Sequence, residues 1–325
     1  MPENLLTLPR ICLLLAAFLA GAIVAAAPTL ADEAKRPNKV SFYFAAHEDD
    51  WQLFMNPQAF DDVLDAKTKS VFIHLTAGDA GLGVGTAGRR FAYYLARENG
   101  AETAVRFMAD AGRFPAGEAA APMLFNGHRI YRIAYRNTVA YFLRVPDGNP
   151  KGTGYAATGN QSLQRLANGE ISSLGTVDGS TVYYGWADLV STVRHILDYE
   201  RGSAASVALN VPEPDSKINP NDHSDHQMTA KAALEASKNL ACASRLYYVD
   251  YAKSHLPENL SAKDRDLETS VLAVTAAGIL ALDQTSIWEP YRQTYLGREY
   301  FRVEQGSGSC GSREIPTAVA SGHTR

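Results

Sequence analysis

A histidine and three acids, His47-Glu48-Asp49-Asp50, follow directly on the apolar run at residues 40–46. Carboxylates beside a hydrophobic strand carry a heavy desolvation cost unless something compensates their charge. A bound divalent cation would do so. The His-x-x-Asp spacing lets His47 and Asp50 reach one ion from a single turn. Asp49 would then point elsewhere, near the ion and free to accept a proton. Taken alone, the run reads as readily as a solvated acidic turn.

A second cluster, Asp222-His223-Ser224-Asp225-His226, places two histidines and two aspartates within five residues. The functional reading is a metal ligand plus a second imidazole, with carboxylates holding their other ring nitrogens. The bland reading is a polar helix cap. Together the clusters offer two histidines and a carboxylate for a metal, with a spare carboxylate and a spare histidine. That is the inventory of a catalytic zinc site with an open position for water. The same 2-His-1-carboxylate set could hold ferrous iron for oxygen chemistry. Asp49 as a base and His223 as an oxyanion stabiliser favour hydrolysis.

The elements that would position these residues alternate in type. Strand patterns cover 40–46, 71–75, 128–134, 138–144, 205–210 and 245–251. Helical patterns cover 89–110, 186–199 and 226–238, and dominate from there on to about 295. Residues 145–179 read as a long loop with a short helix, and residues 212–222 as a polar loop. Alternating strands and helices predict an α/β domain with a mainly parallel sheet. Sites in such sheets collect at the carboxyl ends of strands. The two clusters are therefore expected to meet.

The chain has 325 residues, 46% hydrophobic and 20% charged, which is enough for a sizeable core. A net charge of -4 without a sustained basic run gives no sign of a nucleic-acid partner. Arg10, an apolar stretch over 11–27 and the small residues ending at Ala31 read as a signal peptide at 1–31. The alternative is a membrane anchor, since the stretch is at the lower limit for a bilayer span. The expectation is a secreted or periplasmic protein with no membrane span after cleavage. A single domain over 32–304 and a Gly/Ser-rich, disordered tail over 305–325 complete the division. Cys12 falls in the signal, which leaves Cys242 and Cys310 to pair in an oxidising compartment or to stand as separate thiols.

The motifs Ala46-His47-Glu48-Asp49-Asp50 and Asp222-His223-Ser224-Asp225-His226 resemble those of the PIG-L/LmbE-like zinc deacetylases. That family removes acetyl groups from N-acetylglucosamine-type sugars on various carriers. The resemblance runs from about residue 40 to 226. It implies a Rossmann-like three-layer α/β fold and an N-acetylated sugar or glycoconjugate as substrate. It implies His47, Asp50 and His226 as ligands of Zn2+, or of another divalent metal. It further implies Asp49 as general base, a charged His223 as stabiliser of the tetrahedral intermediate, and Asp225 as the partner that orients it. Arg97 matches a substrate-contacting arginine. Glu48 and Trp51 stand where the family usually has proline and glutamate, and Asn221 stands where some members have tyrosine.

Three rival readings remain. One is a secreted metal-binding or carbohydrate-binding protein without turnover, although structural zinc sites are usually closed by four protein ligands. Another is the Fe(II) enzyme above. The third is a dinucleotide-binding enzyme, from the formal GxGxxG of Gly83-Val84-Gly85-Thr86-Ala87-Gly88. That fingerprint needs its first glycine tight against a strand end and a helix opening at once. Residues 76–82 intervene here, so the glycines read better as the rim of a cleft. His74, inside a strand, reads as a core histidine.

Overall fold

The computed structural model describes residues 37–112, 114–115 and 117–311. The signal-peptide expectation lies outside these residues. Strand β1 (Lys39–Ala45) is buried along nearly its whole length. Successive side chains of a strand point to opposite faces. Val40, Phe42 and Phe44 accordingly enter one hydrophobic cluster, while Tyr43 and Ala45 enter another. A sheet that is apolar on both faces has to be covered on both.

The rest of the chain supplies that cover. Helices α1 (Asp50–Phe54) and α2 (Gln58–Leu64) lead to β2 (Thr68–Thr76) and then α3 (Tyr93–Ala111). Short strands β3 (Glu118–Ala120) and β4 (Met123–Phe125) precede the hairpin of β5 (His128–Tyr135) and β6 (Thr138–Val145). Next come α4 (Leu163–Ala167) and the small strands β7 (Leu174–Gly175) and β8 (Val182–Tyr183). The alternation continues through α5 (Trp186–Arg201), β9 (Ser206–Pro212), α6 (Ser224–Ala236) and β10 (Ser244–Tyr248). Helices α7 (Ala262–Ala281) and α8 (Trp288–Tyr291) and strand β11 (Phe301–Glu304) follow.

The sheet runs β11-β10-β9-β1-β2-β6-β5-β3, with β4 paired to β5. Strands β10, β9, β1, β2 and β6 are parallel neighbours. The remaining strands of the sheet are antiparallel. Residues of α4, α5 and α6 fill the cluster on one face, and those of α1, α2, α3 and α7 the cluster on the other. This is the Rossmann-like three-layer α/β arrangement the sequence led us to expect. From β1 the chain goes outward to β2 and β6 on one side, and later to β9 and β10 on the other. Ligands of such sheets bind in the crevice at that reversal, beyond the carboxyl ends of the strands.

Several boundaries differ from the sequence pattern. Helix α3 opens at Tyr93, not near 89, because the chain through Ala87 and Gly88 runs at positive φ. Strand β11 falls between the helical patterns that end near 295 and the tail that begins at 305, and carries no strand signal because every one of its residues is exposed. Residues 305–311, taken from composition as the start of a disordered tail, are held against the domain. Ser307 and Cys310 donate backbone N–H groups to the carbonyls of Ala241 and Ala205. No helix of the described residues is long and apolar enough to cross a membrane.

Cys242 and Cys310 form a disulfide, which ties the segment after β11 to the entry of β10. A crosslink between residues 68 apart in sequence is expected to stabilise by roughly 2–4 kcal/mol. Replacing both cysteines by serine should lower the unfolding free energy from denaturant titration by that amount. An unchanged midpoint and slope would show that the bridge contributes nothing.

Candidate metal centre

The parallel strands each deliver polar residues at their carboxyl ends. His47, Asp49 and Asp50 follow β1, Asp79 follows β2, Asp147 follows β6 and Asp250 follows β10. After β9 a loop leads to Asp222, and His223 caps α6. All of these side chains are buried. The two clusters far apart in sequence do meet, as the sheet requires.

Asp50 is the pivot. Its Oδ2 accepts the His47 backbone N–H at 2.7 Å, which closes the turn after β1. Its Oδ1 faces His47 Nδ1 at 3.5 Å and His226 Nε2 at 3.3 Å. A tetrahedral ion with ligand bonds of about 2.0–2.1 Å sets its donor atoms about 3.3–3.4 Å apart. The two distances from Asp50 Oδ1 are compatible with ligands around one ion. Buried His226 Nε2 has no hydrogen-bond partner among the described residues, which leaves it available to an ion. Burial alone would raise the Asp50 carboxyl, but the facing imidazoles of His226 and His47 outweigh it and hold it well below the usual range.

The other nitrogen of His226 is held in the manner of a metal-bound imidazole. His226 Nδ1 donates to Asp222 Oδ1 at 2.8 Å, with Asp250 Oδ2 at 3.3 Å. His47 Nε2 faces Asp225 Oδ2 at 3.5 Å and Asp147 Oδ2 at 3.9 Å. Two more groupings could in principle hold a cation: His47 with Asp147, His223 and Asp225, and Asp222 with His226 and Asp250. In each, one carboxylate oxygen is already engaged. Asp225 Oδ2 accepts the Gly148 N–H at 2.8 Å, and Asp222 holds the His226 N–H. A Cβ at Gly148 would stand 2.5 Å from Asp225 Oδ1 and 2.8 Å from Ser162 Cβ, so the loop after β6 packs closely on α6 here.

His223 departs from expectation. Its Nδ1 accepts the backbone N–H of Asp225 at 3.1 Å. A ring that accepts at Nδ1 is neutral and carries its proton on Nε2. Burial, with His47 and His226 nearby, pushes its pKa down to about 2. In this arrangement it is an N–H donor at Nε2, where the resemblance implies a charged group. Asp225 orients it through the main chain, while the Asp225 carboxylate turns to Gly148 and His47.

Asp49 precedes α1 as its N-cap. Its Oδ1 accepts a hydrogen bond from Arg97, which reaches across from α3. Arg97 also donates to the Gly78 carbonyl at 2.9 Å and has its Nε 3.5 Å from Glu48 Oε2. Gly78 lies at φ +49, and a Cβ there would stand 2.5 Å from Glu48. Burial raises the Glu48 carboxyl well above its ordinary value, against the pull of Arg97. Asp49, Asp50, His47, His223 and Arg97 open onto one cavity of about 160 Å³.

Sequence reasoning missed Asp147, Asp250 and the tyrosines Tyr93, Tyr251 and Tyr291 of the cavity wall. Asp147 carried the same signal as His47, a polar residue just past an apolar parallel strand. Asp250 was masked by a strand assignment that ran on to 251, whereas β10 ends at Tyr248. The tyrosines carried no local signal. The glycines at 83–88 lie in the loop between β2 and α3, with no helix opening on them, so no dinucleotide fingerprint forms.

No family model matches the chain. No curated protein matches it either. Among solved structures it is similar to the N,N'-diacetylchitobiose deacetylase from Pyrococcus horikoshii complexed with its inhibitor MPG. That match has 15% identity and a TM-score of 0.44, and covers 83% of this chain and 84% of that one.

Asp222→Ala should weaken divalent-ion binding about 10–100-fold by freeing the His226 ring. Competition with a chromophoric chelator measures this. Unchanged affinity would mean that Asp222 does not orient the ring.

Proposed function

We propose that this chain is a zinc-dependent hydrolase that removes the acetyl group from an N-acetylglucosamine-type sugar or a related N-acyl compound. The observation that carries the metal is the spacing of His47 Nδ1, Asp50 Oδ1 and His226 Nε2 around a shared centre beside a cavity. Two imidazoles and a carboxylate, with no fourth protein donor among them, suit zinc with an open position. Resemblance of both motifs to the PIG-L/LmbE-like deacetylases supports the N-acetyl bond as the target.

Bound there, the ion supplies an acidified water and a Lewis-acid contact for the amide carbonyl. Asp49 takes a proton from the attacking water. Arg97 holds Asp49 in place and itself lines the cavity, where substrate polar groups come within its reach. His223 donates its Nε2–H to the carbonyl oxygen as negative charge develops there. A neutral donor suffices for this, because charge stabilisation needs an aimed N–H and not a net cation. Asp49 then returns the proton to the departing amine nitrogen, and acetate leaves. The signal-like N-terminus and the Cys242–Cys310 disulfide support action outside the cytoplasm.

Acetate release from a panel of N-acetylated sugars, with and without chelator, tests the reading. Turnover should vanish with chelator and return with zinc. Asp49→Ala should keep the metal and lose about 10²–10⁴-fold in kcat. His47→Ala and His226→Ala should lose metal and turnover together. Near wild-type rates in Asp49→Ala would overturn the base assignment.

A further inference from the structure

The sheet ends at β11, and among the described residues no strand covers its outer edge. An open edge strand presents unpaired N–H and C=O groups that can pair with another chain. This edge also carries apolar side chains. Phe301 is 40% exposed and Val303 46%. The two share one face of the strand, and Arg302 and Glu304 share the other.

Backbone alternation decides which groups face outward. Antiparallel neighbours alternate between pairs that exchange both hydrogen bonds and pairs that exchange none. The Val249 N–H donates to the Tyr300 carbonyl at 2.9 Å, so that pair is of the first kind. Tyr247–Arg302 and Arg245–Glu304 follow it in steps of two. Tyr248, between them, sends its carbonyl the other way, to the Glu213 N–H at 2.7 Å. Phe301 and Val303 therefore turn their own N–H and C=O groups outward, and Gln305 continues the alternation.

That pattern restricts how a second copy could pair. In an antiparallel two-fold arrangement, outward-facing residues have to oppose outward-facing residues. Centring on Val303 meets this condition and uses the whole strand. Val303 then opposes the partner's Val303, and Phe301 opposes the partner's Gln305. Arg302 opposes the partner's Glu304, and Glu304 the partner's Arg302. These last positions exchange no hydrogen bonds, so their Cα atoms come closest, at about 4.5 Å. Opposite charges placed this way stabilise a strand pair. On the other face Phe301 lies diagonal to the partner's Val303, within reach of an aromatic ring.

One register thus covers both apolar side chains and matches both charges. Arg302 is already fixed for the contact. Its Nε and Nη2 hold Glu213, which leaves Nη1 to the partner's carboxylate. The Cys242–Cys310 bridge secures the segment just past the strand.

We propose that the outer edge of β11 is a homodimer interface. A second copy of this chain pairs antiparallel with it across a two-fold axis at Val303, and the two sheets become one.

Sedimentation equilibrium of the full chain tests this. The wild type should dimerise at tens of micromolar protein, as befits a small interface. A monomer at that concentration would overturn the proposal. Val303→Pro removes an outward N–H and leaves the bonds to β10 in place. It should be monomeric, with the circular dichroism of the wild type. Glu304→Lys sets like charges against each other twice and should weaken dimerisation at least tenfold. Its side chain is 56% exposed, so this variant carries the test if the proline variant fails to fold. A dimer that persists in Val303→Pro, or is as tight in Glu304→Lys as in the wild type, would assign the contact to another surface and equally overturn the proposal.

Discussion

Negative charge buried at one end of the sheet is the constraint on which the rest of the structure depends. Asp50, Asp147, Asp222, Asp225 and Asp250 are all shut away from solvent around three imidazoles. Isolated ionised carboxylates in such a place would cost several kcal/mol each. The histidines meet part of the demand, and Gly148 and Arg97 meet more. The donor atoms of His47, Asp50 and His226 remain turned toward a shared centre. A divalent ion is compatible with that cluster and would complete the balance.

The fold around the site serves to hold this arrangement still. Trp51, next to Asp50, donates its indole N–H to His74 Nε2 at 3.1 Å. His74 Nδ1 in turn donates to the Tyr141 carbonyl at 3.1 Å, and burial lowers its pKa to about 4. A neutral histidine thus pins the start of α1 to β2 and β6. Asp79 does similar work on the opposite rim. It accepts N–H groups from Asp147 at 2.8 Å and Gly83 at 2.7 Å, which links the glycine-rich loop to the cavity floor. Neither contact belongs to the chemistry, yet each limits how far a reacting side chain can drift.

Much of this was legible in the sequence for a simple reason. Buried parallel strands read as apolar runs, and the polar residues just past them mark the strand ends where such sheets bind ligands. His47, Asp50 and His226 stood out on that basis, and so did the core role of His74. What escaped has equally physical causes. The protonation of His223 depends on a main-chain N–H that only the helix cap brings to it. Asp250 looked like part of a strand because β-propensity does not reveal where pairing stops. Strand β11 pairs only along the sheet's edge, and its solvated residues leave no alternation to read. Tyr291 reaches the cavity from a helix near the end of the chain, a contact that only tertiary packing creates.

The central claim is that one divalent ion sits among His47, Asp50 and His226. Anomalous diffraction from zinc-loaded crystals addresses it most directly. A single peak about 2.0–2.1 Å from His47 Nδ1, Asp50 Oδ1 and His226 Nε2 is the expected result. A peak between Asp222 and Asp250, a peak among Asp147, His223 and Asp225, or no peak at all would contradict it.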